Sequence, residues 1–258
     1  MKRALHAEWT KTRTVAGPWW LLLGAVVLTI ASSALVTSLA TCHTAGCHTD
    51  TTRLSLTGVH LGQALIAILA VRFLSDEYDS GMIRTTLAAI PHRPTAFAAK
   101  AVTLTGVVAV AGSIAILGSL LAGRIILPGN GFTPAHGHPA LSLADWPTLR
   151  ATVGSILYLT LIALLSLGIT AVLRDSATST GAVLGLLYLF PVLAQVIDDP
   201  HWQRLLHQIG PMSAGLTIQA TTDLHTLPLT PWAGLGVTAG WAAAALAAGG
   251  LLLHIRDA

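Results

Sequence analysis

The sequence predicts an all-α membrane protein with six transmembrane helices, an amphipathic N-terminal helix at the membrane interface and both termini in the cytoplasm. Three observations support this fold class. Hydrophobic residues form 53% of the 258 residues and charged residues only 10%, with a mean hydropathy of +0.70. Six apolar segments are long enough to cross the hydrocarbon core, which takes about 20 residues. Finally, Lys and Arg are distributed unevenly among the connecting loops.

The six apolar segments are continuous in Leu, Ala, Val and Ile. They lack the apolar-polar alternation that is typical of barrel strands, so helices are the expected spanning elements. We predict one transmembrane domain over residues 1–258. Its spans are expected at about residues 18–39, 56–74, 98–121, 152–173, 180–196 and 232–253.

Basic residues predict the orientation, because cytoplasmic loops are enriched in Lys and Arg. With the N-terminus inside, the inner side carries Lys2, Arg3, Lys11, Arg13, Arg72, Arg84, Arg93, Lys100, Arg174 and Arg256. The outer side carries Arg53, Arg124, Arg150 and Arg204. We therefore expect a multi-pass protein of the cell membrane that contacts lipid. No basic patch with interleaved aromatic residues indicates nucleic acid as a partner.

Residues 1–16 precede the first span and have an amphipathic pattern. Leu5 and Trp9 recur at helical spacing, and four basic residues surround them. This pattern predicts an interfacial helix. A basic flank that only sets the topology explains the same residues equally well.

The loop after the first span contains both cysteines of the chain, Cys42 and Cys47, and a histidine follows each of them. Two cysteines in an oxidising compartment usually pair, so a disulfide is the first expectation. Soft ligands for zinc or copper are a second interpretation, although metal motifs normally have tighter spacing and a second ligand pair. Two free thiols are the third interpretation.

Residues 198–230 are expected to form a structured external loop. Asp199 can cap a helix that begins at Pro200. The apolar side chains of that helix fall on one face, and they are Trp202, Leu205, Leu206 and Ile209. This helix is interpreted either as a lid that packs on the outer ends of the spans or as an element that helps to release cargo.

The sequence excludes several kinds of chemistry. It contains no phosphate-binding loop, no His-Glu-x-x-His motif and no Gly-x-Ser-x-Gly elbow. The spans hold few ionisable residues, which disfavours an ion-coupled carrier. We therefore predict no catalytic, cofactor-binding or metal-binding residues in this chain, and no enzymatic activity.

The stretch from Ser75 to Lys100 carries most of the charge in the middle of the chain and lies between two long apolar runs, with residues 75–97 as the predicted cytoplasmic coupling segment. Their pattern is Glu77-x3-Gly81-x2-Arg84-x2-Leu87-x3-Pro91-x2-Pro94, with Tyr78 beside the acid and Arg93 beside the second proline. A polar helical segment that leaves the membrane, breaks at a proline and re-enters is well placed to contact a soluble partner. Charges that only solvate a cytoplasmic loop are the alternative.

This pattern resembles the first cytoplasmic loop of permease subunits in the ABC-2-type family of ABC exporters. Two further motifs are similar to family members. One is the opening Glu8-Trp9-Thr10-Lys11-x-Arg13-Thr14, which is similar to the start of many actinobacterial members, and the other is the short turn Leu173-Arg174-Asp175-Ser176. The resemblance extends over nearly the whole chain.

The resemblance implies a permease without a nucleotide site, paired with a second copy or a paralogue and driven by two cytoplasmic ATPase subunits that bind ATP and Mg. It implies export of a hydrophobic or amphipathic compound such as a drug, antibiotic, peptide or lipid. Residues 75–97 would then carry the coupling helix, whose contacts or supports would be Glu77, Tyr78, Gly81, Arg84, Leu87, Pro91 and Arg93. A membrane immunity or scaffold subunit that recruits an ATPase, and a stand-alone ion-coupled carrier, are the alternative functions.

Overall fold

The computed structural model describes residues 6, 8–10, 14, 16–42, 47, 49–79 and 93–255. Within these residues the protein is helical and has no strand, as the sequence predicts. The α-helices are α1 (Ala16–Leu39), α2 (Thr51–Ser55), α3 (Val59–Asp79), α4 (Arg93–Ile126), α5 (Trp146–Leu173), α6 (Ser176–Val196), α7 (Pro200–Ile209), α8 (Pro211–Gly215) and α9 (Pro231–Ile255). Six of them are long and apolar enough to cross a membrane, namely α1, α3, α4, α5, α6 and α9.

The bundle has two ends with different connections. We call the "turn end" the end at which α3 stops, α4 begins and the short link 173–176 joins α5 to α6. The "loop end" is the opposite end, which carries the described residues 40–42, 47, 49–58, 127–145 and 197–230. Four short 3-10 helices lie at the loop end, at Leu127–Asn130, Pro134–His136, Leu216–Gln219 and Leu224–Thr226.

Helix α5 is the centre of the bundle, because it packs against α3, α4, α6 and α9. In its most apolar stretch 61% of the residues are buried, against 22% in α6 and in α9. Its fully buried side chains include Tyr158, Ile162 and Leu165. The outer helices therefore offer most of their surface to lipid or to another protein, whereas α5 forms the core.

Aspartates start three of the helices in the way that capping chemistry predicts. Asp50 accepts the Arg53 N–H at 3.0 Å ahead of α2, and Asp199 accepts the His201 N–H at 2.8 Å ahead of α7. Asp175 accepts the Thr178 N–H at 2.7 Å ahead of α6. Each cap satisfies a backbone donor that the first helical turn leaves without a partner.

Small residues let α5 and α9 approach closely. A Cβ atom on Gly168 of α5 would lie 2.5 Å from the Ala245 carbonyl carbon of α9. A Cβ on Gly249 of α9 would lie 2.7 Å from the Ala171 side chain. Glycine at these positions permits the backbone contact that membrane helices use in place of a hydrophobic driving force.

Most of the spanning helices extend beyond the apolar segments that the sequence marks as spans, although α3 begins at Val59, later than the predicted residue 56. Helix α4 has 34 residues and reaches past both limits of the predicted span 98–121. Helix α5 begins at Trp146 rather than near residue 152. The reason is that hydropathy marks only the part of a helix that lies in hydrocarbon, whereas backbone hydrogen bonds continue the helix into the polar layer.

Candidate functional site

The turn end holds a buried ion cluster, which we define as Glu8, Glu77 and Lys100. Lys100 Nζ lies 2.8 Å from Glu8 Oε1 and 2.5 Å from Glu77 Oε1. The exposed fractions of the three residues are 7%, 1% and 2%, in the order Glu8, Glu77, Lys100. One ammonium group therefore bridges two carboxylates in a setting where charges are poorly solvated.

Each member of the ion cluster belongs to a different segment. Glu8 is in the N-terminal segment, Glu77 is two residues before the end of α3, and Lys100 is in the second turn of α4. Removing one partner of such a pair typically costs about 3–5 kcal/mol, because the other charge remains buried. The cluster thus holds three segments together, and two of them are the stems on either side of residues 80–92.

Aromatic rings flank the ion cluster and extend it along α3. The Phe73 ring centroid lies 5.8 Å from Lys100 Nζ, which is within the range of a cation–π contact. The Tyr78 ring lies 5.7 Å from the guanidinium carbon of Arg174. Because Arg174 ends α5 with a left-handed backbone (φ 61°), this second contact links the end of α3 to the short turn before α6.

The structure places the predicted coupling residues in two groups. Glu77 and Tyr78 belong to α3, where Glu77 faces the interior rather than the solvent. Arg93 starts α4. Gly81, Arg84, Leu87 and Pro91 lie outside the described residues, as does most of the predicted interfacial helix 1–16. Of the two roles foreseen for Glu77, contact or support, its burial favours support.

The roles of Glu8 and Lys100 do not follow from a local sequence motif. Lys100 counts among the basic residues expected on the inner side, and the one sign of its role is its position as a lone lysine within an apolar stretch. A charge in such a stretch calls for a partner. Glu8 offers one of the few carboxylates near that end, but a pair separated by 92 residues has no local pattern.

The loop end contains a re-entrant segment, residues 211–219, formed by α8 and the following 3-10 helix. Every residue from 214 to 220 is buried. The segment packs against α5, α6 and α9. A Cβ on Gly154 of α5 would overlap the Ile218 side chain, and one on Gly234 of α9 would overlap the Ala214 carbonyl oxygen. This segment therefore fills the space between the helices at this end.

Neutral hydrogen bonds tie the re-entrant segment to the spans. The Tyr158 hydroxyl of α5 donates to Gln63 Oε1 of α3, and Gln63 Nε2 lies 3.0 Å from Met212 Sδ. Thr238 of α9 donates to the Pro211 carbonyl at 2.9 Å. Gln219 bonds Ser155 of α5 at 3.2 Å. The network is thus distributed over three helices.

Asp50 joins the first loop to the chain that follows the re-entrant segment. Its carboxylate accepts the Thr221 N–H at 2.5 Å, the Thr221 hydroxyl at 2.7 Å and the Thr222 N–H at 3.1 Å. It also caps α2 through Arg53 N–H. One carboxylate with several N–H and O–H donors is a strong, charge-assisted junction.

Cys42 and Cys47 form a disulfide in the structure. Cys42 is buried beside Leu127 and Phe132, and its N–H donates to the Asn130 carbonyl at 2.9 Å. The bridge therefore joins two parts of the loop that follows α1, at the point where this loop contacts residues 127–132. Among the described residues no group of three or more His, Cys, Asp or Glu side chains has the arrangement of a metal site.

The predicted external helix is α7, which begins at Pro200 with Asp199 as its cap. Trp202 and Ile209 are exposed, whereas Leu205 and Leu206 are half-buried. The Ile209 carbonyl accepts the Trp241 indole N–H of α9 at 2.9 Å. Helix α7 therefore contacts the bundle through one face, and its Trp202 side chain stays exposed.

Comparison with protein families places this chain in a family. The family model described as "ABC-2 family transporter protein" matches residues 4–192. That range contains all three residues of the ion cluster, as well as α1 and α3 to α5 in full. No curated protein matches the chain.

Proposed function

Since the chain is a multi-pass membrane permease that belongs to the ABC-2 family of transporter proteins, we propose that it exports a hydrophobic or amphipathic compound. The proposed energy source is ATP hydrolysis in two cytoplasmic ATPase subunits, which bind ATP and Mg. A second permease copy or a paralogue completes the proposed complex. The family supports this assembly, and so does a sequence that has no phosphate-binding loop of its own.

The ion cluster is the observation that carries the proposal. In the proposed complex, residues 80–92 contact an ATPase through Gly81, Arg84 and Leu87, and Pro91 ends the contact segment. Glu77 and Lys100 sit on the two stems of that segment and are joined at 2.5 Å. A segment with joined stems moves as one body when its tip is displaced, because sliding one stem would separate buried charges.

The direction of force transfer follows from the packing of the stems. Helix α3 packs on α5 and α6, and α4 packs on α1 and α5. Displacement of the stems therefore acts on the central helix from two sides. Glu8 adds the N-terminal segment to the same unit through its 2.8 Å contact with Lys100. In our proposal ATP binding and hydrolysis rock this unit and, with it, the permease.

We propose that cargo passes between two permease copies rather than through the middle of one. The centre of a single chain is filled, since Tyr158, Ile162 and Leu165 of α5 are fully buried. By contrast α1 exposes Leu23, Val27 and other apolar side chains on its outer face. An apolar surface of this kind suits a cleft for a hydrophobic or amphipathic compound.

The experiment is reconstitution with the candidate ATPase subunits in proteoliposomes. The wild-type permease is expected to co-purify with them and to stimulate ATP hydrolysis. Arg84→Ala should abolish the stimulation, because it removes a proposed contact, while Arg124→Ala at the loop end should retain it. Glu77→Gln should reduce stimulation without releasing the ATPase, since Glu77 supports the segment from inside. Normal stimulation by both Arg84→Ala and Glu77→Gln would refute the assignment.

The same proteoliposomes test the alternatives. A scaffold or immunity subunit would bind the ATPase subunits but move no labelled amphipathic compound across the bilayer. An ion-coupled carrier would move the compound under a proton gradient without ATP. Our proposal requires movement that depends on ATP and stops with an ATPase inhibitor.

A further inference from the structure

The loop end contains a cationic cavity of about 520 Å³ between the polar face of α7 and residues 225–228. Such a volume is typical of a small-ligand site. Its described lining residues are Pro200, Gln203, Arg204, His207, Gln208, His225, Thr226, Leu227 and Pro228. Arg204, His207 and His225 bring side-chain N–H donors to it, and none of these lining residues is Asp or Glu. The cavity is therefore suited to an anion rather than a cation.

The two walls of the cavity are fixed to each other and to the bundle. Gln208 Nε2 of α7 donates to the Pro228 carbonyl at 3.0 Å, which joins the helix to the opposite wall. Gln203 Nε2 donates to the Ile197 carbonyl at 2.7 Å and anchors the start of α7 to the end of α6. Of the carboxylates close in sequence to this lining, Asp199 accepts the His201 N–H as the cap of α7, and Asp223 lines an adjoining cavity that shares Thr226 and Leu227 with this one. Asp198 is exposed and is not among the lining residues.

The sequence of α7 separates a cationic face from an apolar face. Pro200, Gln203, Arg204 and His207 recur at three- and four-residue spacing, so they share one side of the helix. The residues on the other side are Trp202, Leu205, Leu206 and Ile209. On the apolar side, Leu205 and Leu206 are half-buried against the bundle, whereas Trp202 and Ile209 are exposed. A helix with this division and exposed apolar side chains suits a membrane interface.

Three exposed tryptophans at the loop end support a position of α7 near the lipid headgroups. Trp146 at the start of α5, Trp202 in α7 and Trp232 at the start of α9 are all exposed at the loop end. Exposed tryptophans of membrane proteins concentrate in the headgroup layer. A cationic cavity at this depth meets the phosphate groups of lipids.

We propose that this cavity binds the phosphate headgroup of an anionic phospholipid in the leaflet at the loop end. Arg204 donates to the phosphate oxygens from α7, and His207 and His225 donate from the two walls. Arg and phosphate match in geometry and charge. The lipid stabilises the contact between α7 and residues 225–228, which follow the re-entrant segment. This inference stands independently of the proposed export function.

The test uses the full-length chain in detergent, titrated with short-chain phosphatidylglycerol or phosphatidylcholine and observed by native mass spectrometry. We expect phosphatidylglycerol to bind roughly tenfold more tightly, because the choline group places a cation near the cavity. Arg204→Gln should weaken phosphatidylglycerol binding about tenfold. Arg124→Gln removes an exposed arginine at the same end, outside the cavity, and should change binding by less than about twofold.

Several outcomes would overturn the proposal. Equal weakening by Arg204→Gln and Arg124→Gln would indicate general surface charge, and equal affinity for the two lipids would remove the preference for an anionic headgroup. Binding of inorganic phosphate that depends on Arg204, without binding of phosphatidylglycerol, would assign the cavity to a free anion. Should Arg204→Gln fail to fold, His225→Gln on the other wall must weaken phosphatidylglycerol binding, or the site is wrong.

Discussion

The two ends of the bundle hold distant segments together by different chemistry. At the turn end a single ammonium, that of Lys100, binds carboxylates from the N-terminal segment and from α3. At the loop end the re-entrant segment is held by many neutral hydrogen bonds and by glycine contacts with α5 and α9. Among the described residues, the first arrangement centres on one buried ammonium. The second is distributed over many groups, and the charge-assisted Asp50 junction lies just beyond the re-entrant segment.

This difference suits different mechanical tasks. A concentrated ionic junction keeps the two stems around residues 80–92 together, and its loss should affect the whole turn end at once. In a distributed neutral network one substitution removes one hydrogen bond and leaves the others in place, at a cost of about 1–3 kcal/mol for the buried group that loses its partner. We therefore expect single substitutions to have larger effects at the turn end than at the loop end.

The largest expected effect is that of Lys100→Met. The substitution leaves two buried carboxylates without their shared ammonium, which should lower the free energy of unfolding by about 3–5 kcal/mol. Denaturant titration of the protein in micelles measures it. Arg124→Met, which removes an exposed cation from the same helix, serves as the control and should change stability by less than about 1 kcal/mol. Similar stability of the two variants would show that the ion cluster contributes little.

Gly234→Ala should have the next largest effect. Its Cβ would overlap the Ala214 carbonyl oxygen, so the re-entrant segment or α9 must shift. Overpacking of this kind costs roughly 1–3 kcal/mol. Gly236→Ala is a matched control on the same helix, because nothing lies within 4 Å of its Cβ position. If the two variants unfold at the same temperature, the close contact between α9 and residues 211–219 is not present.

Tyr158→Phe tests one bond of the distributed network. It removes the hydroxyl that donates to Gln63 Oε1 and leaves that buried acceptor without this donor. The expected loss is about 1–2 kcal/mol, which is less than for Lys100→Met. Thermal unfolding of the two variants side by side gives the ranking. A loss for Tyr158→Phe that equals the loss for Lys100→Met would contradict the contrast between the ends.

The smallest effect concerns pH and the cap of α6. The Thr178 hydroxyl and N–H both donate to Asp175, and these bonds lower the pKa of its carboxyl. The stabilisation by this cap is therefore complete above the ordinary carboxyl pKa of about 3.9 and is lost as the pH falls through the lowered value. The unfolding temperature of Asp175→Asn should lack this part of the acid dependence. Identical acid profiles of the wild type and Asp175→Asn would count against the cap.

Much of the fold could be predicted from the sequence, because each span is a local run of apolar residues. The start of α7, with Asp199 as the cap and Pro200 as the first helical residue, was also predictable, since capping acts over a few residues. The exact ends of the helices were harder to predict from the sequence. Helix α3 continues to Asp79 because the Glu77 charge is paired inside the bundle, which hydropathy alone does not reveal.

The residue pattern around Glu77 predicts a coupling segment in which Glu77 is a contact or a support, and that role stays a prediction. The pattern does not reveal that Glu77 is buried. The burial of Glu77 depends on Lys100, 23 residues away, and on Glu8 in the N-terminal segment. Pairing at such separations is a tertiary property. The cationic cavity beside α7 likewise required the position of His225 relative to Arg204, which no local motif specifies.

The most direct test of the central claim is a double-mutant cycle between Glu77 and Lys100. The free energy of unfolding is measured for the wild type, Glu77→Gln, Lys100→Met and the double variant. If a buried ion pair joins the two stems of residues 80–92, the double variant should be more stable than the sum of the single losses predicts, with a coupling energy above about 1.5 kcal/mol. Additive losses, within about 0.5 kcal/mol, would contradict the ionic junction.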